Sequence, residues 1–231
     1  MPFCSKRSLK LLVLALLAFG KLCLAAAITL EGTKNTRDLG GLPVAGGRLR
    51  NGRLYRSGAL CFATPADVER LAGLRLRTVV DLRTDKEIAK DGADRIVLAE
   101  NLRLPMTAYH GRGAEAYRSL VLQNGRVLRE FFGMLARSEA YPVIYHCSAG
   151  KDRVGILTAL LLDALGTPRE VIMDDYLQSR RNSPKLEVHE EWLEEVFAAV
   201  DRSGGTEAFL AIQGIPAGQL EAIRNNLTEA D

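Results

Sequence analysis

Cys147 and Arg153 are separated by five residues, with Gly150 among them, in the run His146-Cys147-Ser148-Ala149-Gly150-Lys151-Asp152-Arg153. A thiol and a guanidinium at this spacing can wrap a short loop around a tetrahedral dianion. The sulfur is a nucleophile once ionised, and the guanidinium can grip two oxygens at once. Gly150 supplies the backbone freedom that such a turn demands, either a positive φ or a close approach to phosphate. These are the parts needed to cleave a phosphate ester.

Two flanking elements must hold that loop. Pro142-Val143-Ile144-Tyr145 is a short β-rich run that reads as a buried strand. Residues 154–165 are long and apolar enough for a buried helix, and Gly166 follows as its stop. A strand, a tight loop and a helix N-terminus in sequence aim backbone N–H groups at an anion. A cysteine at the edge of that field is expected to ionise below its free pKa of about 8.5. A bare Cys and Arg at this spacing is a weak signal, but the strand, His146, Gly150 and the helix each narrow it. A buried cysteine that merely closes a strand would leave the charges of Gly-Lys-Asp-Arg unexplained. A sulfurtransferase loop is the nearest look-alike, but it is shorter and too tight for phosphate.

With these residues in view, the chain resembles the bacterial tyrosine-phosphatase-like family, whose loop reads His-Cys-x-x-Gly-Lys-Asp-Arg. Further blocks carry the resemblance in the family's order: Asn35-Thr36-Arg37-Asp38-Leu39-Gly40-Gly41, Leu54-Tyr55-Arg56-Ser57-Gly58, Val79-Val80-Asp81-Leu82-Arg83 with Glu87, and Asp175-Tyr176-Leu177. They span the chain from about residue 30 onward. The resemblance implies a cysteine-phosphatase fold and activity on phosphotyrosine, with phosphoserine, phosphothreonine or phosphoinositides as further substrates. One position departs from the pattern. The family usually places a hydroxyl residue after the arginine, able to ease the thiolate's departure, and here it is Val154.

The expected roles follow. Cys147 attacks phosphorus, and Ser148, Ala149, Gly150, Lys151, Asp152 and Arg153 hold the phosphate oxygens. His146 braces the loop. Two carboxylates compete as proton donor to the leaving group. Asp152 is favoured because the loop guarantees its nearness and the resemblance supports it. Asp81 is the rival, unless it pairs with Arg83 or Arg37 to stiffen the crevice. Lys151 either grips a second phosphate or an inositol ring or is simply solvated. Asn35, Arg37, Asp38 and Arg56 are expected to brace the cradle, with Arg56 the one to face the ligand.

The net charge of +3 misleads: of 31 basic residues, four lie in residues 1–27 with no acid, leaving 27 against 28 acids, a net of −1. That excludes a nucleic-acid-binding profile. Lys6, Arg7 and Lys10, then an apolar run 11–19, then Ala25-Ala26-Ala27, read as a signal peptide over residues 1–27. The apolar run is too short for a comfortable membrane span, which needs about 20 residues, and Lys21 interrupts it. Export to the periplasm or outside the cell is therefore expected, with an uncleaved anchor as the alternative. Residues 28–231 then form one catalytic domain with no integral membrane span. Cleavage leaves Cys61 and Cys147, which could pair in an oxidising compartment, unless Cys61 simply packs as a small apolar residue. Three histidines without paired ligand spacing give no metal site, and no cofactor is expected.

Strands alternating with helices argue for an α/β fold: a central, mostly parallel sheet flanked by helices, with extra helices after the phosphate loop. Ligands in such sheets sit beyond the strands' carboxyl ends, where Asp81 and His146-Cys147 both lie. Thr64 and Thr84 read as N-caps, and Thr167-Pro168-Arg169-Glu170 as a capping box. Residues 107–117 read as a loop near the site and 117–137 as helical, with later helices near 187–200 and 216–226. Phe131, Phe132, Trp192 and Phe197 are assigned to the core. The expected partner is a phosphoprotein or phosphoinositide substrate. A lipid or inositol phosphatase would use the same loop, and a module that binds phosphotyrosine without turnover is the non-enzyme alternative.

Overall fold

The computed structural model describes residues 25–96, 100–107 and 110–231. Most of the signal-peptide reading, residues 1–24, and positions 108–109 of the 107–117 loop therefore lie outside the described residues. Among the described residues, six strands form the main sheet in the order β1 (Ala26–Ala27), β2 (Arg37–Asp38), β5 (Leu54–Ser57), β8 (Val143–His146), β6 (Thr78–Asp81), β7 (Glu100–Arg103). The four strands from β5 to β7 are parallel, and β1 and β2 run antiparallel at one edge. A second, antiparallel sheet joins β3 (Pro43–Val44) and β4 (Gly47–Leu49) to β9 (Thr228–Glu229), tying the C-terminus beneath the N-terminal hairpin. The α/β architecture expected from the alternation is present.

Every residue of β5, β6 and β8 is buried, as parallel strands covered on both faces require. Alternation along the strands divides the core. Tyr55, Val79 and Ile144 meet Leu60, Leu71 and Ile96 on one face. Leu54, Val80, Val143 and Tyr145 meet the larger helical core on the other. Helices α1 (Pro65–Gly73) and α2 (Asp85–Asp91) each open on a complete capping box, Thr64 with Asp67 and Thr84 with Glu87.

The 117–137 segment is two helices, α3 (Gly113–Gln123) and α4 (Gly125–Leu135), which meet at Asn124. Helix α5 (Asp152–Ala164) is apolar on nearly every side because it sits in the middle of the core. Helix α6 (Arg169–Asn182) lacks the expected capping box, because the Thr167 hydroxyl donates to Pro43 O at 2.8 Å instead. Helices α7 (Glu190–Asp201), α8 (Thr206–Ile212) and α9 (Ala217–Leu227) complete the chain, α8 being unforeseen. Among the described residues no helix is long and apolar enough to cross a membrane.

Candidate active site

Strand β8 lies between β5 and β6, and His146 is in register with Ser57 on one side and Asp81 on the other. Cys147 therefore leaves the sheet at the level where its neighbours also end. The loop's carbonyls are pulled backward. Ala59 N–H donates to Ser148 O at 3.2 Å, while Asn35 Nδ2 and an Arg56 NH2 both donate to Gly150 O at 2.8 Å. A planar peptide with its oxygen held behind must turn its N–H forward. Among the described residues, the amides of Ser148, Ala149, Gly150 and Lys151 have no protein acceptor. Gly150 is required twice over: its φ is +65°, and a Cβ there would lie 2.5 Å from the Ser57 carbonyl. The close approach is thus to the β5 backbone.

Cys147 forms the floor, 1% exposed, among core residues that include Val154. Arg153 reaches across the mouth of the loop, its two terminal nitrogens 2.7 and 2.6 Å from the two oxygens of Glu87. Glu87 also accepts the Ser148 hydroxyl at 2.5 Å and, through its capping role, the Thr84 N–H at 2.8 Å. Burial works against the Glu87 carboxylate, but these hydrogen bonds outweigh it and hold its pKa well below the usual range. Burial likewise opposes the Arg153 charge, and the adjacent Cys147 sulfur and Glu87 carboxylate raise its pKa above the ordinary value regardless.

A buried ion cluster backs the loop. Asp175 receives Arg37 Nε at 2.7 Å on one oxygen and Arg56 NH1 at 2.5 Å on the other. Arg37 also donates to Asn35 Oδ1 at 2.5 Å, which orients the Asn35 amide toward the loop. Asn35 and Arg56 thus bond the loop directly and Arg37 acts through Asn35 and Asp175, while Arg56 is fully buried behind the loop and does not face the cleft. Asp38 takes no part. Its carboxylate caps the Gly40 and Gly52 N–H groups, stitching turns outside the site.

Asp81 departs from the acid role considered for it. Both its oxygens face Arg83, one accepting the Arg83 N–H at 2.8 Å and the other the guanidinium at 3.0 Å. Arg83 continues to Asp94 at 2.9 Å and to Cys61 Sγ at 3.1 Å. His146 Nε2 lies 2.7 Å from Asp94, and its Nδ1 3.4 Å from Cys147 O, so the imidazole braces the loop from below. Asp81, Asp94 and His146 bring one ligand atom each within 4.8 Å of one another. The Arg83 guanidinium bonds both carboxylates and already supplies the cation there. Cys61 and Cys147 are both free thiols; burial pushes Cys61 up, against the opposing charge of Arg83.

Asp152 and Lys151 face an open cleft of about 750 Å³ lined also by Thr84, Lys86, Glu87, Lys90, Arg112 and Trp192. Asp152 Oδ1 accepts the Tyr117 hydroxyl at 2.5 Å and lies 3.2 Å from Lys151 Nζ. Lys151 Nζ also donates to Glu187 O at 2.7 Å and sits 5.1 Å from the centre of the Trp192 ring. Trp192, assigned to the core from sequence, packs half-buried against the core through Tyr117 at 5.6 Å and also forms one wall of this cleft. Phe131, Phe132 and Phe197 are core residues as expected.

The sequence profile of the tyrosine phosphatase family matches residues 28–229. The chain belongs to the tyrosine phosphatase family. A Cupriavidus necator relative, provisionally named a tyrosine-protein phosphatase, is 36% identical over 170 residues, covering 66% of this chain and 62% of that one. The chain thus spans just under two thirds of that relative's length. The triple specificity protein phosphatase PtpB of Mycobacterium tuberculosis is 32% identical over 199 residues, covering 68% of this chain and 70% of its own. Among solved structures, the core catalytic domain of the S. cerevisiae PP-IP phosphatase SIW14 covers 74% of this chain and 87% of its own, at 16% identity and a TM-score of 0.43.

In this tyrosine phosphatase chain, the residues that sequence reasoning missed are Glu87, Asp94, Tyr117, Asp175 and Trp192. Two of them carried a signal. Glu87 and Asp175 stand inside the family's ordered blocks, and an acid four residues beyond Arg83 can serve both as a cap and as a partner. Nothing local marks the other three.

Proposed function

We propose that this chain is a phosphomonoester hydrolase acting on phosphotyrosine through a cysteinyl-phosphate intermediate. The observation that carries the reading is the loop from Cys147 to Arg153. Its carbonyls are bonded backward, the amides of Ser148 to Lys151 are without protein acceptors among the described residues, and its guanidinium is braced by Glu87. The Cys147 sulfur attacks phosphorus as the bond to the leaving oxygen breaks, and Asp152 protonates that oxygen. Water then attacks phosphorus, the S–P bond breaks, and Asp152 takes the water's proton. Arg153 and the loop amides hold the equatorial oxygens throughout, an electrostatic role commonly worth several kcal/mol, roughly 3. Ala116, Tyr117, Leu120 and Trp192 give the cleft an apolar wall suited to an aromatic leaving group.

Turnover of p-nitrophenyl phosphate by the wild type and its loss in Cys147→Ser tests this. Turnover that survives the substitution rejects the nucleophile. Binding of phosphotyrosine peptide without any turnover would instead establish a binding module.

A second reading, hydrolysis of phosphoinositides, is favoured by Lys86, Lys90 and Arg112 on the cleft wall. None of these has an anionic partner among the described residues. A matched panel of phosphopeptides and phosphoinositides separates the two substrate classes.

We further propose export, supported by the basic head, the short apolar run and the alanine cluster of residues 1–27. Ala26 and Ala27 pair with Asp38 and Arg37, and Ala25 O accepts Gln178 Nε2 at 2.9 Å. N-terminal sequencing of exported protein would read whether these residues stay with the mature chain. Chain retained wholly in the cytoplasm would reject export.

A further inference from the structure

Asp152 can act as an acid only if its proton sits on the oxygen that meets the leaving group, and the surroundings of its two oxygens are unequal. Oδ1 accepts the Tyr117 hydroxyl at 2.5 Å and lies 3.2 Å from Lys151 Nζ. Among the described residues no group donates to Oδ2. Tyr117 has a single proton, and it is committed to Asp152. The Tyr117 oxygen lies 2.8 Å from the Tyr176 hydroxyl, so Tyr176 must be the donor in that pair. One direction of donation therefore runs from Tyr176 through Tyr117 to Oδ1.

We propose that Tyr117 is a positioning residue for the general acid: its hydroxyl occupies Oδ1 of Asp152 and so confines the transferable proton to Oδ2. The inference rests on the proposed phosphatase chemistry with Asp152 as its acid. In the first step the Sγ–P bond forms, the P–O bond to the leaving group breaks, and the Oδ2 proton passes to the departing oxygen. In the second, a water oxygen bonds to phosphorus, the Sγ–P bond breaks, and the water's proton returns to Oδ2. Tyr117 keeps its own proton in both steps.

The placement suits that task. Tyr117 is buried on α3, edge-on to Tyr176 at 6.1 Å and tilted against Trp192 at 5.6 Å, so its hydroxyl is held before substrate arrives. Burial, reinforced by Asp152 and Tyr176, pushes the phenol far above its ordinary range, and it stays a donor at any working pH. Lys151 divides its three donors between this oxygen, Glu187 O and the Trp192 face, whereas the Tyr117 proton is given to Oδ1 alone.

The test is a series of aryl phosphates running from a good leaving group, p-nitrophenolate, to a poor one, phenolate. It is assayed with wild type, Tyr117→Phe, Asp152→Asn and the double variant. A poor leaving group needs the proton most, so Tyr117→Phe should lose about 10- to 100-fold in kcat on phenyl phosphate and under about 3-fold on p-nitrophenyl phosphate. The double variant should show no leaving-group effect beyond that of Asp152→Asn. The phenylalanine keeps the ring and its packing, and a urea midpoint identifies any fold defect. A merely structural role would lower kcat equally along the series, and that result overturns the proposal. A steep Asp152→Asn series beside a wild-type slope for Tyr117→Phe overturns the Tyr117 inference alone. A flat Asp152→Asn series removes Asp152 as the acid and the inference with it.

Discussion

Glu87 grips Arg153 with both carboxylate oxygens, at 2.7 and 2.6 Å, while its own backbone N–H is bonded to the Thr84 hydroxyl that opens α2. One residue thus starts a helix and sets the plane of the guanidinium proposed to face the phosphate. Fixed donors cost no reorganisation when charge moves in the reaction, so the carboxylate matters although it touches no substrate.

Glu87→Gln keeps the size and one acceptor but removes the bidentate charge pair. It should lower kcat/KM on p-nitrophenyl phosphate by roughly 100-fold, the scale expected when a reacting geometry loosens by about 1 Å. Steady-state kinetics checks this, with a thermal melt to confirm the fold. A loss below about 3-fold would count against the positioning.

Acid stability follows from the ion cluster behind the loop. Burial alone would raise Asp175, but Arg37 and Arg56 outweigh it and hold the carboxyl below its ordinary value of 3.8. A group with a depressed folded-state pKa contributes stability fully above its unfolded value and loses it as pH falls toward the folded one. Urea midpoints should therefore drop as pH falls below about 4, where the unfolded carboxyl begins to take up protons before the folded one does. Asp175→Asn leaves two buried guanidiniums without their anion and should cost about 3–5 kcal/mol. Its urea midpoint should depend less on pH in that window than the wild type's.

Gly150→Ala meets both a positive φ and a backbone 2.5 Å away at Ser57, neither of which can yield like a flexible side chain. Activity should fall below detection while the fold survives, because the strain is confined to the loop. Near-wild-type kcat/KM in the alanine variant would show that the loop has more room than this.

Val154 is fully buried in the apolar cluster that also contains Cys147. Where the family usually carries a hydroxyl, this side chain offers the sulfur no hydrogen bond as it leaves phosphorus. Rapid-quench measurement should find more trapped phosphocysteine in the wild type than in Val154→Thr. Equal trapping in the two proteins would remove Val154 from the second step.

What the sequence determined by itself is the part of the site that is continuous in the chain. Strand, loop and helix from Val143 to Ala164 follow from neighbouring residues: a buried apolar run, a glycine that can take φ +65°, and an apolar helix behind them. The placement of Cys147 and Arg153 at the two ends of one short loop was legible for the same reason, and it is what supports their proposed roles. Partners that arrive from elsewhere were not. Asp152 was favoured over Asp81 by its place in the loop, but only packing placed Arg83 against one carboxylate and Tyr117 against the other. Arg56 looked ligand-facing until Asp175, brought by α6 from 119 positions along the chain, drew it behind the loop. Trp192 does pack on the core, but hydrophobicity does not say that the same side chain also walls a cleft. Local conformation is a property of adjacent residues, whereas the partner of a charged or aromatic side chain depends on which distant element shares its space, and that is decided by the tertiary fold.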